Sequence, residues 1–176
     1  MALGGPPPAG MTDKLAAFRR SVDREAGALA ERHAERLRCG LGCADCCRDG
    51  LSVFEIEAAA IRAGCGETLR GAAPHPAGAC AFLGPDRACR IYAQRPYVCR
   101  TQGLPLRWLD HEARVEHRDI CPLNEGGPTL ESLPRDACFE LGPRETELQQ
   151  LEVEDAGGAP RRVALRDLFL ELAGEG

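Results

Sequence analysis

Four cysteines fall within nine residues at Cys39-Gly-Leu-Gly-Cys43-Ala-Asp-Cys46-Cys47. The glycines between them let the backbone curl so that several sulfurs converge on one point. Cys43 and Cys46 have the two-residue gap of a chelating knuckle. Soft thiolates select zinc, copper(I) or iron–sulfur centres over magnesium or calcium. The adjacent pair Cys46-Cys47 adds a constraint. Neighbouring side chains point apart in a helix and to opposite faces in a strand. Both therefore bind only if one serves a second ion, or if the pair bridges a multinuclear centre. A second group follows at Cys80, Cys89, Cys99 and Cys121. Together Cys39, Cys43, Cys46, Cys47, Cys80, Cys89, Cys99 and Cys121 make eight candidate ligands, more than one mononuclear site uses.

Arginine directly follows cysteine at Cys47-Arg48, Cys89-Arg90 and Cys99-Arg100. A guanidinium beside a thiol lowers its pKa and can donate to a metal-bound sulfur. The signal is diluted because arginine supplies 21 of the 22 basic residues. Arg48, Arg95, Arg100 and Tyr92 are expected around the ligands. Tyr92 and Phe82 suit the wall of a site or ordinary core, and Arg95 suits an ion pair with Asp45 or Asp49. Asp45 is also a candidate oxygen ligand. His117, four residues before Cys121, fits a mixed site or a surface strand, and His33, His75 and His111 lack partner spacing. Cys65 and Cys138 read as buried free thiols, the first after a helix-ending Gly64 and the second in a helix.

The run Cys39/Cys43/Cys46/Cys47-Arg48, then Cys80-x-Phe82-Leu83, then Cys89-x-Ile91-Tyr92-x-x-Arg95-Pro96-x-x-Cys99-Arg100, closely resembles the YkgJ-type cysteine-cluster family. The resemblance extends from about Cys39 to Cys121 and implies chelation of zinc or iron through the shared cysteines. Cys65 and Cys138 depart from the pattern, as does Ala81, where proline is common. Similar modules occur beside flagellin lysine-methylating domains, but this chain has no methyl-donor motif and that activity is not carried over.

The elements that must position these sulfurs are modest. In 176 residues, hydrophobic side chains reach 44% but aromatics only 5%, so a core this poor in large side chains calls for another stabilising agent. Residues 1–10 are Gly/Pro-rich and expected to be disordered. Over 11–38, Leu15, Phe18, Val22, Ala26, Leu29, His33 and Leu37 recur at helical steps and predict a docking helix, with Thr12 or Asp13 as its N-cap. Ser52-Val-Phe-Glu55 matches a capping box ahead of a helix to about Ala63. Gly84-Pro85-Asp86 marks a turn between extended pieces, and Arg95-Pro96 to Cys99 one helical turn. Leu106–Leu109 and Ala113–His117 form a weak hairpin, and an amphipathic helix with Leu165, Leu168, Phe169 and Leu172 ends the chain. The expected fold class is α+β: a small, irregular, metal-stabilised cysteine-cluster domain at 39–124, an N-terminal helix, and an acidic C-terminal extension over 125–176.

Residues 1–124 carry 17 basic and 15 acidic side chains, net +2, and residues 125–176 carry 5 and 12, net −7. Eight thiolates with two divalent ions total −4, which the basic part offsets in part. The overall charge of −5 argues against nucleic acid as partner, and no apolar run suits a membrane span. The acidic extension is the candidate docking site for a protein partner. The start lacks the basic and apolar segments of a secretory signal, so a cytoplasmic location with reduced thiols is expected. The function expected is chelation of zinc or iron, the iron alternatively within an iron–sulfur or multinuclear centre, for metal handling, electron transfer or as an accessory subunit. The alternatives are a metal-dependent enzyme modifying a protein or small molecule, and a thiol-redox protein. No nucleophile–base spacing accompanies the cysteines, so catalysis is left open.

Overall fold

A computed structural model describes residues 9–40 and 42–174, with side chains from Asp13 onward. In chain order the elements are α1 (Ala9–Arg32), β1 (Ser52–Phe54), α2 (Glu55–Leu69), α3 (Tyr97–Arg100), β2 (Leu106–Asp110), β3 (Val115–Asp119), β4 (Phe139–Glu140), α4 (Leu141–Ala156), β5 (Arg162–Ala164) and α5 (Leu165–Ala173). The fold is α+β, as the sequence predicts. The disorder expected for residues 1–10 falls outside the described residues except at Ala9 and Gly10, which already belong to α1. Thr12 and Asp13 consequently lie inside the helix rather than at its cap.

Two apolar clusters organise the chain. The first lies under α1, where Leu15, Phe18, Val22, Ala26 and Leu29 meet Phe54, Ile56, Tyr97, Leu104, Leu106, Phe139 and Leu148. The second lies between α2 and α5, where Val53, Ile61, Leu69, Phe82 and Ile91 meet Leu165, Leu168 and Phe169. Phe82 and Phe169 meet edge to face at 5.2 Å. Val53 and Phe54, neighbours in β1, point into opposite clusters because strand side chains alternate.

Two small sheets tie these layers together. β1 pairs antiparallel with β5, Val53 opposite Val163. The expected hairpin is present as β2–β3, with Trp108 opposite His117, and β4 adds to β2 in parallel.

Three local expectations are corrected. α1 ends at Arg32 instead of continuing to residue 38, because His33 and Arg36 turn inward. The His33 imidazole meets the Ala137 carbonyl at 2.7 Å, and Arg36 Nε donates to the Asn124 carbonyl at 3.0 Å. Ser52 begins a strand, not a capping box, because its backbone pairs with β5. α2 is capped from a distance: Glu152 Oε2 in α4 accepts the Ile56 N–H at 2.8 Å. Gly64 does not stop α2, which runs to Leu69 and buries Ile61, Cys65 and Leu69 on one face. Its missing side chain makes room for Gln94, whose Cγ would lie 3.1 Å from a Cβ at this position.

Candidate metal centre

The Cys39–Gly50 loop is a series of tight turns. The Cys43 N–H reaches the Gly40 carbonyl at 3.0 Å, the Cys47 N–H the Ala44 carbonyl at 2.9 Å, and the Arg48 N–H the Cys46 carbonyl at 2.9 Å. Gly42 takes a φ of +83°, where a side chain would be strained. This loop meets the second cysteine group directly. The Cys80 N–H donates to the Cys47 carbonyl at 2.9 Å, and Arg48 bridges Ala79.

Cys80 and Cys89 stand on the two arms of the turn around Gly84-Pro85-Asp86, closed by a Leu83–Cys89 bridge and by the Arg90 N–H on the Phe82 carbonyl at 2.9 Å. Ala81, Phe82 and Ile91 from the same arms anchor this turn in the second apolar cluster, and both sulfur-bearing side chains pack against it. Cys99 lies in α3, whose N-cap is Pro96. The buried Glu57 carboxylate accepts the Tyr97 N–H at 2.7 Å and so fixes the first turn of that short helix.

Cys46, Cys47, Cys80, Cys89 and Cys99 form one electrostatic neighbourhood. A hydrogen bond between Cys46 and Cys47 pushes the Cys46 thiol well above its ordinary value and pulls Cys47 below it. Burial pushes up Cys80 and Cys89, and it raises Cys99 to about 12 with the Cys80 and Cys89 charges adding to the effect. Arg95 pulls Cys89 the other way, and Arg166 does the same for Cys80. Neither outweighs burial.

Cys39, Cys43 and Cys121 make a second neighbourhood. Partial burial raises the Cys39 thiol, a hydrogen bond from Asn124 lowers it, and the Cys121 and Cys43 charges raise it again. Asn124 Nδ2 lies 3.2 Å from Cys39 Sγ.

All ten cysteines are free thiols. Among the described residues, no three His, Cys, Asp or Glu side chains stand arranged to hold a metal ion. The donor set nonetheless fits zinc or iron in kind. Sulfur is the ligand both accept, the Cys80 N–H bond to the Cys47 carbonyl brings the two cysteine groups together, and neighbouring carboxylates are engaged elsewhere. Asp45 pairs with Arg87 at 3.4 Å, and Asp49 with Arg166 at 2.7 Å. Those two arginines therefore take the partners anticipated for Arg95, whose guanidinium instead lies 4.2 Å over the Tyr92 ring. Tyr92 itself is 64% exposed, so it is not core; Phe82 is. Arg48 bonds the Asp45 carbonyl at 3.4 Å. Arg100 bonds the Arg95 and Ala93 carbonyls and Asp23, holding the turn before α3 to α1. Among the described residues, neither Arg48 nor Arg100 donates to a sulfur.

Cys65 and Cys138 are buried, and burial raises both thiols. Cys65 sits inside α2, and Cys138 follows a 3₁₀ turn at Arg135–Ala137 rather than lying in a helix. His117 is exposed and stacks on Trp108 across the hairpin at 5.3 Å, the surface position its strand implied.

Residues 38–122 match the CxxCxxCC family, whose description is "Putative zinc- or iron-chelating domain". The likeness to that family rests on this stretch alone. The CxxCxxCC segment covers 85 of the 176 residues, just under half of the chain. No curated protein and no solved structure matches the chain. The segment begins one residue before Cys39 and ends one residue after Cys121, so it spans all eight registered cysteines. It excludes Cys138, Asn124, Glu152 and Arg166. Sequence reasoning passed over the last three because their partners lie far away in the chain; only Asn124, three residues past Cys121, had a suggestive position.

Proposed function

We propose that this protein chelates zinc or iron through eight of the nine cysteines in its CxxCxxCC segment, Cys65 excepted, distributed over two groups. One comprises Cys46, Cys47, Cys80, Cys89 and Cys99, the other Cys39, Cys43 and Cys121. The observation that carries this reading is the junction at Cys47 and Cys80, where a 2.9 Å backbone bond sets the two sequence clusters side by side. The vicinal pair belongs to the larger group, where a fifth sulfur suits a second ion or a multinuclear centre. Bound metal supplies charge compensation and cross-linking for the thiolates. Most of these thiols are held above their ordinary pKa, so binding must displace their protons and strengthens as pH rises toward that range. The role this supports is metal handling, electron transfer or service as an accessory subunit.

Anaerobic purification followed by elemental analysis and an absorption spectrum tests the proposal. Brown protein with acid-labile sulfide identifies an iron–sulfur centre, and colourless zinc-loaded protein a zinc centre. A folded protein with neither metal, even after anaerobic incubation with zinc or ferrous ion, contradicts the reading. Chelator treatment, or Cys46→Ser, is expected to lower the melting temperature, because assembly of a metal site is coupled to folding. An unchanged melting curve after complete metal removal would count against it.

A further inference from the structure

Asn124 has 0% exposure and lies outside the matched family segment, yet it joins its own stretch, 121–124, to two others, 36–39 and Gly103. Its Oδ1 accepts the Arg38 N–H at 2.7 Å. Its Nδ2 donates to the Gly103 carbonyl at 2.8 Å and to Cys39 Sγ at 3.2 Å. Its own N–H reaches the Cys121 carbonyl at 2.7 Å, and its carbonyl accepts Arg36 Nε at 3.0 Å. The amide has one orientation only. The Arg38 N–H can only donate and the Gly103 carbonyl can only accept, so the nitrogen must face the carbonyl and the sulfur.

Gly103 completes the arrangement. Its φ is +93°, and a Cβ there would lie 2.9 Å from Cys39 Sγ and 3.3 Å from Asn124 Nδ2. The sulfur thus rests against backbone that only glycine leaves open, under an amide that points a hydrogen at it. A packing asparagine needs no such alignment. A sulfur that carries metal-bound charge gains from it, because an N–H donor stabilises the thiolate and fixes its direction.

We propose that Asn124 is a positioning residue for metal binding: its side-chain amide hydrogen-bonds and orients Cys39 Sγ as a ligand, with Gly103 providing the space. This rests on the chelation reading above and goes beyond it, since it assigns a role to a residue outside the family segment.

The test uses the full chain loaded with cadmium-113, a spin-active stand-in for zinc. In the unmodified protein, a proton–cadmium correlation is expected between one cadmium resonance and the Asn124 side-chain amide, transmitted through the N–H···S bond. Cadmium bound at shifts typical of sulfur, but with no such correlation, overturns this inference and leaves chelation standing. Failure to bind cadmium through sulfur overturns both. In chelator competition, Asn124→Asp keeps the acceptor for Arg38 but turns a carboxylate toward the sulfur, and should weaken binding about 10–100-fold. In a Cys39→Ser background the same change should cost less than about twofold, because independent sites add and coupled ones do not. An equal loss in both backgrounds means Asn124 only supports the fold, and sinks the proposal. The correlation on the unmodified protein decides the matter even if Asn124→Asp fails to fold.

Discussion

Glu57 shows how a single buried charge is tied to the cysteine face. Its carboxyl is 2% exposed on α2 and accepts the backbone of Tyr97, two residues before Cys99. Burial pushes its pKa above the usual carboxylate range, while the Tyr97 N–H and the nearby Arg19 pull it down without prevailing. The folded protein therefore holds this proton at a pH where the unfolded chain has released it. Stability from this group is complete below the unfolded value of about 4.3 and declines as pH rises through the folded value. Glu57→Gln keeps an acceptor for Tyr97 but has no proton to lose. Urea unfolding between about pH 4 and pH 7 should then give a variant whose stability falls less with pH than the parent's. Parallel curves would show that Glu57 does not titrate differently in the two states. At the same scale, the extent of the cysteine segment was legible in the sequence, because the stretch from Cys39 to Cys121 coincides with the matched residues 38–122. The arginine roles were not, since a guanidinium on a long stem reaches partners distant in sequence: Arg166 finds Asp49, and Arg87 finds Asp45.

Among the elements, those whose signals are local match the sequence reading. The apolar stripe of α1, the β2–β3 hairpin and the Pro96-capped turn of α3 are all present. The misread starts and stops depend on remote partners. Ser52–Phe54 is extended because β5 lies beside it, about 110 positions later. α2 begins where it does because Glu152 supplies the cap that Ser52 was expected to provide. Glu152 is fully buried, and its second oxygen accepts the Arg161 N–H at 3.1 Å, so one carboxylate joins α2, α4 and the approach to β5. Glu152→Ala should lower the unfolding free energy by about 2–4 kcal/mol, combining an orphaned Ile56 N–H with a buried void. Glu152→Gln, which retains an acceptor, should cost less. A denaturation midpoint unmoved by the alanine substitution would show that water replaces the carboxylate and that the cap contributes nothing.

For the molecule as a whole, the CxxCxxCC segment is built into a larger apolar framework. Leu168 and Phe169 of α5 are each 0% exposed and pack on the cluster that carries Phe82 between Cys80 and Cys89. Arg166 reaches the same place by polar contacts, to Asp49 at 2.8 Å and to the His75 and Ala79 carbonyls at 3.1 and 2.9 Å. The last turn of chain before Cys80 is thus held from α5. No helix among the described residues is long and apolar enough to cross a membrane, and Leu165, Leu168 and Phe169 of α5 pack into this cluster. Removing residues 165–176 strips Leu165, Leu168 and Phe169 from the core; at about 1.5–3 kcal/mol for each large apolar side chain, the loss approaches the whole stability of a small domain. The shortened chain should lose its cooperative unfolding transition and bind less metal than the full chain under the same anaerobic loading. Arg166→Ala separates the two contributions. It leaves the apolar packing in place, so the protein should still melt cooperatively, while chelator removes its metal faster than from the parent. If the shortened chain instead melts cooperatively with full metal content, the cysteine segment is self-sufficient and α5 is only a covering.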